Sequence, residues 1–103
     1  MRTGASRREP GARRSRTTPR PFELHWGRGV IAEEAMFSGE HHEPSIQLLE
    51  FEDGSLSVRF CYYDHTGRFQ RSPMIVGKEE IAGMRQALVD TPRLRELLRE
   101  MIA

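Results

Sequence analysis

Ser45 to Val76 reads SIQLLEFEDGSLSVRFCYYDHTGRFQRSPMIV, three runs of strand-forming residues separated by two turn signals. Asp53-Gly54 is a pair that two-residue hairpins favour, because both central positions need positive φ, which Gly adopts freely and Asp tolerates. With that turn Glu52 stands opposite Ser55, so Phe51 pairs with Leu56, Leu49 with Val58 and Gln47 with Phe60. Side chains alternate across a strand, and this register gathers Leu49, Phe51, Leu56, Val58, Phe60 and Tyr62 on one apolar face. Glu50, Ser57, Arg59, Cys61 and Tyr63 fall on the other, mixed face with Ile46 and Leu48, where Glu50 and Arg59 stand diagonally as an ion pair. Asp64-His65-Thr66-Gly67 makes a four-residue turn that Asp64 caps. Arg68 to Val76 then returns as a strand that Pro73 confines to an edge or a bulge.

On the N-terminal side, Trp26 to Phe37 alternates Val30, Ala32, Glu34 and Met36, and Gly27 and Gly29 oppose a helix start, so a further strand is expected. Ser38 to Pro44, SGEHHEP, reads as a solvated polar loop. On the C-terminal side, Lys78 to Val89 puts Ile81, Met84, Ala87 and Leu88 on one helical face, with Glu79 and Glu80 in the first turn where the helix dipole favours acids. Thr91 is placed to cap a second helix and Pro92 to open it, and Leu94, Leu97, Leu98, Met101 and Ile102 form its apolar stripe. The expected fold class is α+β: an antiparallel meander of three to four strands, covered by a C-terminal helix or helix pair.

A chain of 103 residues allows one domain, assigned to residues 22–103. Residues 1–21 read as a disordered arm. The first twenty residues carry seven arginines against Glu9 alone, a charge of +6, which leaves −5 for the rest of a chain whose net charge is +1. Such an arm attracts polyanions through counterion release without reading sequence. No apolar run approaches the ~20 residues of a membrane span, and the N-terminus lacks the apolar centre of a secretory signal. A cytoplasmic protein without a membrane partner is therefore expected. Cys61, the single cysteine, excludes an intrachain disulfide and reads as a small residue packed in a strand.

Catalytic and metal-binding sets are not apparent. Glu40, His41, His42 and Glu43 are potential ligands, but neighbouring residues seldom converge on one ion, and metal sites draw ligands from separate elements. Asp64 and His65 lack an adjacent nucleophile in any recognisable motif. No Gly-rich phosphate loop follows a strand. The expectation is a non-enzymatic protein without metal or cofactor. What stands out is the interleaving of Arg59, Tyr62, Tyr63, Arg68, Phe69 and Arg71, cations alternating with aromatics in the manner of surfaces that grip single-stranded nucleic acid.

At these residues the sequence resembles the C-terminal domain of the positive cofactor four family of transcriptional coactivators, over about residues 45–88. The resemblance rests on Phe51 and Gly54 at the first turn, Val58-Arg59 in the next strand, Tyr62-Tyr63 followed by Asp64 and Gly67, the strand Met74-Ile75-Val76, and an acid-started helix with Ile81, Met84 and Leu88. It implies a homodimer formed through the C-terminal helix, and single-stranded DNA or RNA as the partner. It also implies a binding surface that includes Phe51, Arg59, Tyr63 and Arg68, to which the interleaved pattern adds Phe69 and Arg71. The sequence departs from the family where a Lys-rich first turn is replaced by Glu52-Asp53, and where a basic Lys-Gly entry to the last strand is replaced by Arg71-Ser72-Pro73. A protein-interaction module on the same fold, free of nucleic acid, is the alternative.

Overall fold

A computed structural model describes residues 16–70 and 73–103. Five strands form one antiparallel sheet in chain order: β1 (Arg20–Leu24), β2 (Gly27–Met36), β3 (Glu43–Phe51), β4 (Leu56–Tyr63) and β5 (Met74–Gly77). A 3-10 turn at Lys78–Glu80 leads into α1 (Ile81–Leu88), and α2 (Pro92–Ile102) follows. The fold is α+β, a meander followed by C-terminal helices, with Trp26 to Phe37 contributing a strand as expected. The additional strand is β1. Its prolines mask it in the sequence, yet β1 is an edge strand, where a missing backbone donor at Pro21 costs the ladder little. Order thus reaches back to Arg16 and Arg20, inside the segment assigned to the arm, while residues 1–15 lie outside the described part of the chain.

The β3–β4 register differs from expectation by one residue. Leu49 stands opposite Ser57, Leu48 opposite Val58 and Gln47 opposite Arg59. The connection is a three-residue loop, Glu52-Asp53-Gly54: the Gly54 amide donates to the Phe51 carbonyl at 2.9 Å, and the Phe51 amide donates to the Ser55 carbonyl at 2.9 Å. Gly54 has φ of 90°, so the left-handed residue closes a three-residue hairpin instead of sitting second in a two-residue one. Asp53 does not need positive φ; its Oδ1 accepts from the Ser55 amide and hydroxyl.

A one-residue slip exchanges faces. Leu49 and Phe51 now share a face with Ser57, Arg59, Cys61 and Tyr63. Ile46, Leu48, Leu56, Val58, Phe60 and Tyr62 form the other, and Glu50 and Arg59 project from opposite sides and make no pair. In β2 a bulge between Ile31 and Glu33 interrupts the simple alternation, so Ile31 faces Leu49 while Glu34 faces Gln47. The first face carries the core of Phe22, Ile31, Leu49 and Phe51, with Leu24 and Ile75 packed against it. Gly29 makes this packing possible: a Cβ there would collide with the Glu50 carbonyl and lie 2.7 Å from the Phe51 Cα.

The 64–67 turn forms as expected. Asp64 Oδ1 accepts from the Thr66 amide, the Thr66 hydroxyl and the Arg68 amide, and these bonds hold its carboxyl below the usual range. Of the expected return strand, Phe69 bridges to Tyr63, the Gln70 amide donates to the Tyr62 carbonyl at 3.0 Å, and β5 begins at Met74, after Pro73. The Thr91 hydroxyl does not cap α2 but donates to the Leu88 carbonyl at the end of α1. Neither helix buries a residue, so the cover expected over the sheet is not formed by these helices in one chain. Replacing Gly29 by Ala is expected to lower stability by about 1–3 kcal/mol through overpacking against β3, read as a lower urea midpoint. Gly83→Ala, with open space at its Cβ, is the control that holds or gains stability.

Candidate nucleic-acid interface

The first face of the sheet divides into an apolar half and a polar half. In the polar half, Glu34 on β2 is the hub. Arg20 from β1 donates to it through both terminal nitrogens at 2.9 and 3.2 Å, the Ser45 hydroxyl at 2.6 Å and the Gln47 amide at 2.9 Å. Gln47 also donates to the Tyr63 hydroxyl at 2.9 Å and accepts from Arg59 Nε at 2.7 Å. Arg20 reaches the same Tyr63 hydroxyl at 3.1 Å. A bidentate arginine, a hydroxyl and an amide thus saturate one carboxylate, which is how a side chain only 3% exposed can remain charged. Burial pushes the Glu34 carboxyl up, but the bonds from Arg20, Ser45 and Gln47 outweigh it and hold it at about 2.

Glu43 forms a second hub at the start of β3. Its side chain is fully buried, accepts from Arg16 at 2.7 Å and lies 3.1 Å from His65 Nδ1. The 38–44 segment is therefore not uniformly solvated. His41 and His42 are exposed, but Glu43 and Ser38 are completely buried, because the segment turns into β3 at Glu43 and places its side chain on the first face. Among the described residues no group of three or more His, Cys, Asp or Glu is placed to hold a metal ion.

A continuous ladder of aromatic rings and guanidinium groups crosses this face. Trp26 stacks on Phe51 with centroids 5.5 Å apart, and Phe51 meets Phe22 edge-on at 5.0 Å. The Arg59 guanidinium lies 6.0 Å from the Phe22 ring and 4.7 Å from the Phe69 ring. Phe69 meets Tyr63 edge-on at 5.3 Å, and the Arg16 guanidinium covers Tyr63 at 3.9 Å. Each step is an aromatic or cation–π contact of favourable geometry.

The structure thus brings four of the expected site residues, Phe51, Arg59, Tyr63 and Phe69, into one ladder, and the register slip is what unites Phe51 with the others. Phe51, Arg59 and Tyr63 are only 8, 6 and 7% exposed, so they form its base, while Phe69 at 37% and Trp26 at 58% remain open. Arg68 is exposed beside Phe69; Arg71 lies outside the described residues. Trp26, Phe22, Arg16 and Arg20 were not apparent as site residues in the sequence. Arg20 and Phe22 enter through β1, Trp26 through the β1–β2 turn and Arg16 from the segment before β1, and Pro19 and Pro21 obscured that strand. Cys61 lies on the same face beside Arg59, and burial pushes its thiol up, as suits a packed residue.

No protein-family model matches the chain, and no curated protein or solved structure matches it.

The Glu34 hub has a pH signature. Its carboxyl sits at about 2 in the folded chain against an ordinary 4.5, so its contribution to stability is complete above about pH 4.5 and is lost as the pH falls toward 2. Urea midpoints measured between pH 6 and pH 2.5 are expected to fall with acid. Glu34→Gln, which leaves Arg20 without its carboxylate, is expected to lower stability at pH 6 by up to about 3 kcal/mol and to flatten the acid dependence.

Proposed function

We propose that this chain is a non-enzymatic cytoplasmic protein that binds single-stranded DNA or RNA, works as a homodimer through its C-terminal helices, and has a role related to transcription. The observation that carries the reading is the ladder in which the Arg59 and Arg16 guanidinium groups adjoin runs of aromatic rings. A sheet face with aromatic platforms between cations suits a single strand, whose bases stack on rings while phosphates follow the cations. In this reading Phe69 is the open stacking surface and Arg68 its neighbouring cation. Arg59 and Tyr63 hold Phe69 from below, and Phe51 anchors the far end. The carboxylates of the same face, Glu34 and Glu43, are each paired with an arginine, which limits their repulsion of phosphate. Arg71 and the arginines of residues 1–15 add affinity that does not depend on base sequence.

Fluorescence anisotropy with a labelled deoxythymidine oligonucleotide, over a salt series, tests this. The full-length chain is expected to bind at low salt and to weaken steeply as salt rises. Phe69→Ala is expected to remove about 1–3 kcal/mol of affinity, and Arg68→Ala to reduce the salt slope. Absence of binding by the full-length chain at low salt refutes the reading. Binding that is lost on deleting residues 1–15 but indifferent to Phe69→Ala assigns it to the arginines alone.

The homodimer is supported by the helices. Met84, Leu94, Leu97, Met101 and Ile102 are all exposed, Leu97 at 63% and Ile102 at 81%, an apolar stripe that a soluble monomer would not leave open. The second face of the sheet is also apolar, with Tyr62 and Met74 exposed and Ile46, Leu48, Val58 and Phe60 half-buried. Light scattering is expected to give twice the chain mass of 11.9 kDa, and Leu97→Asp to give the monomer. A monomeric wild-type chain would favour the second reading, a protein-interaction module, to which the −5 charge of the residues after the arm also points.

A further inference from the structure

Each chain carries two apolar surfaces that do not cover one another. One is the second face of the sheet, where Ile46, Leu48, Val58, Phe60, Tyr62 and Met74 stand together. A groove of about 290 Å³ on this face is lined by Glu33, Ala35, Ile46, Leu48 and Val58 among others. The other surface is the stripe of the helices, Leu94, Leu97 and Met101 of α2 with Ile81 and Met84 of α1, all exposed.

A sheet face of this kind is ordinarily covered by a layer of helix, and this chain has such a layer but holds it aside. The helical segment meets the sheet at its 3-10 turn, against β4. There the Gly77 amide donates to Glu80 Oε1 at 2.8 Å, which fixes the course of the chain as it leaves β5. At the far end of α1 the Val89, Asp90 and Thr91 amides donate to the carbonyls of Gln86, Ala87 and Leu88 at 3.1–3.3 Å. These bonds set α2 against α1, not against the sheet.

The two surfaces match in size and in charge. The eleven residues of α2 make about 16 Å of helix, and the four strands from β2 to β5 span about 14 Å. Glu33 stands opposite Leu48 and Glu50 lies two residues beyond it, so both project from the second face beside the apolar residues. Both are exposed, and neither makes an ion pair among the described residues. On α2, at about 100° per residue, Arg93 and Arg95 fall on the two borders of the apolar stripe and Glu96 on its back. These arginines are likewise exposed and unpaired among the described residues.

We propose that two copies of this chain exchange their helices: α2 of one copy lies in the groove on the second sheet face of the other, with Leu97 against Leu48 and Val58. Two-fold symmetry makes the contact reciprocal, each copy giving a helix and receiving one. Helices that paired only with each other would leave both sheet faces open, whereas exchange takes all four apolar surfaces out of water. The inference rests on the homodimer reading above and supplies the surface on which the partner's helix sits. It leaves the first face, with Phe69, outside the interface.

Disulfide trapping in a Cys61→Ser background tests this, with Val58→Cys in one chain and Leu97→Cys in a second chain that carries a tag to mark its mass. The two are co-expressed, their dimer mass is verified by light scattering under reducing conditions, and the mixture is oxidised with copper phenanthroline. A disulfide between the two different chains is expected as the main product, with little coupling of Leu97→Cys to itself. Ile46→Cys with Leu94→Cys repeats the measurement at a second pair of positions. Self-coupling of Leu97→Cys as the main product overturns the exchange in favour of helix-to-helix pairing. So does a chain carrying both Val58→Cys and Leu97→Cys that closes the disulfide within itself, and so does the absence of sheet-to-helix coupling at both pairs in chains that remain dimers. A monomeric wild-type chain overturns the homodimer reading and the exchange together, so the two failures are distinct.

Discussion

Two backbone hydrogen bonds at the 52–54 loop, Gly54 to Phe51 and Phe51 to Ser55, decide on which side of the sheet every residue of β4 stands relative to β3. Because side chains alternate with period two, that loop length sets which residues can touch. With three residues in the loop, Arg59 faces Gln47, Tyr63 faces Glu43, and both share a side with Leu49 and Phe51. The Glu34 hub, the Glu43 hub and the aromatic ladder all require this register. With a two-residue loop Arg59 would face Leu48, and its Nε would have no Gln47 acceptor.

The bulge in β2 completes the arrangement. It shifts the strand by one residue, so Ile31 meets the apolar half of the face and Glu34 meets the polar half. Without it Glu33 would stand opposite Gln47, with Glu34 on the side of Ile46 and Leu48. A buried carboxylate persists only where its partners are already in place, and here they arrive from β1 and β3, with Tyr63 of β4 tied to both Arg20 and Gln47. This is why the N-terminal strand, the weakest in sequence, is integral to the face: Arg20 and Phe22 are the parts of the two halves that β3 and β4 cannot supply.

The two faces consequently have different characters. One buries its own polar and aromatic side chains against each other and needs no covering layer. The other, with the stripe of the two helices, remains substantially apolar and open. For a sheet and helix pair of about 80 residues, near the lower limit for a self-sufficient core, that open surface is the physical basis for expecting a second copy.

Local chemistry was sufficient to specify the meander, the Asp64 turn, the strand at Trp26 to Phe37, the amphipathic helices and the presence of Arg59, Tyr63 and Phe69 in a shared neighbourhood, because periodicity and turn residues act over a few positions. What it left undetermined was anything that hinges on a single-residue shift. Asp53-Gly54 is compatible with loops of two or three residues, the alternation of β2 reads smoothly through its bulge, and Pro21 conceals an edge strand. Only the tertiary structure decided these, since the choice is made by partners distant in the chain: Glu34 by Arg20, Ser45 and Gln47, and Phe51 by Phe22, Trp26 and the space that Gly29 leaves open.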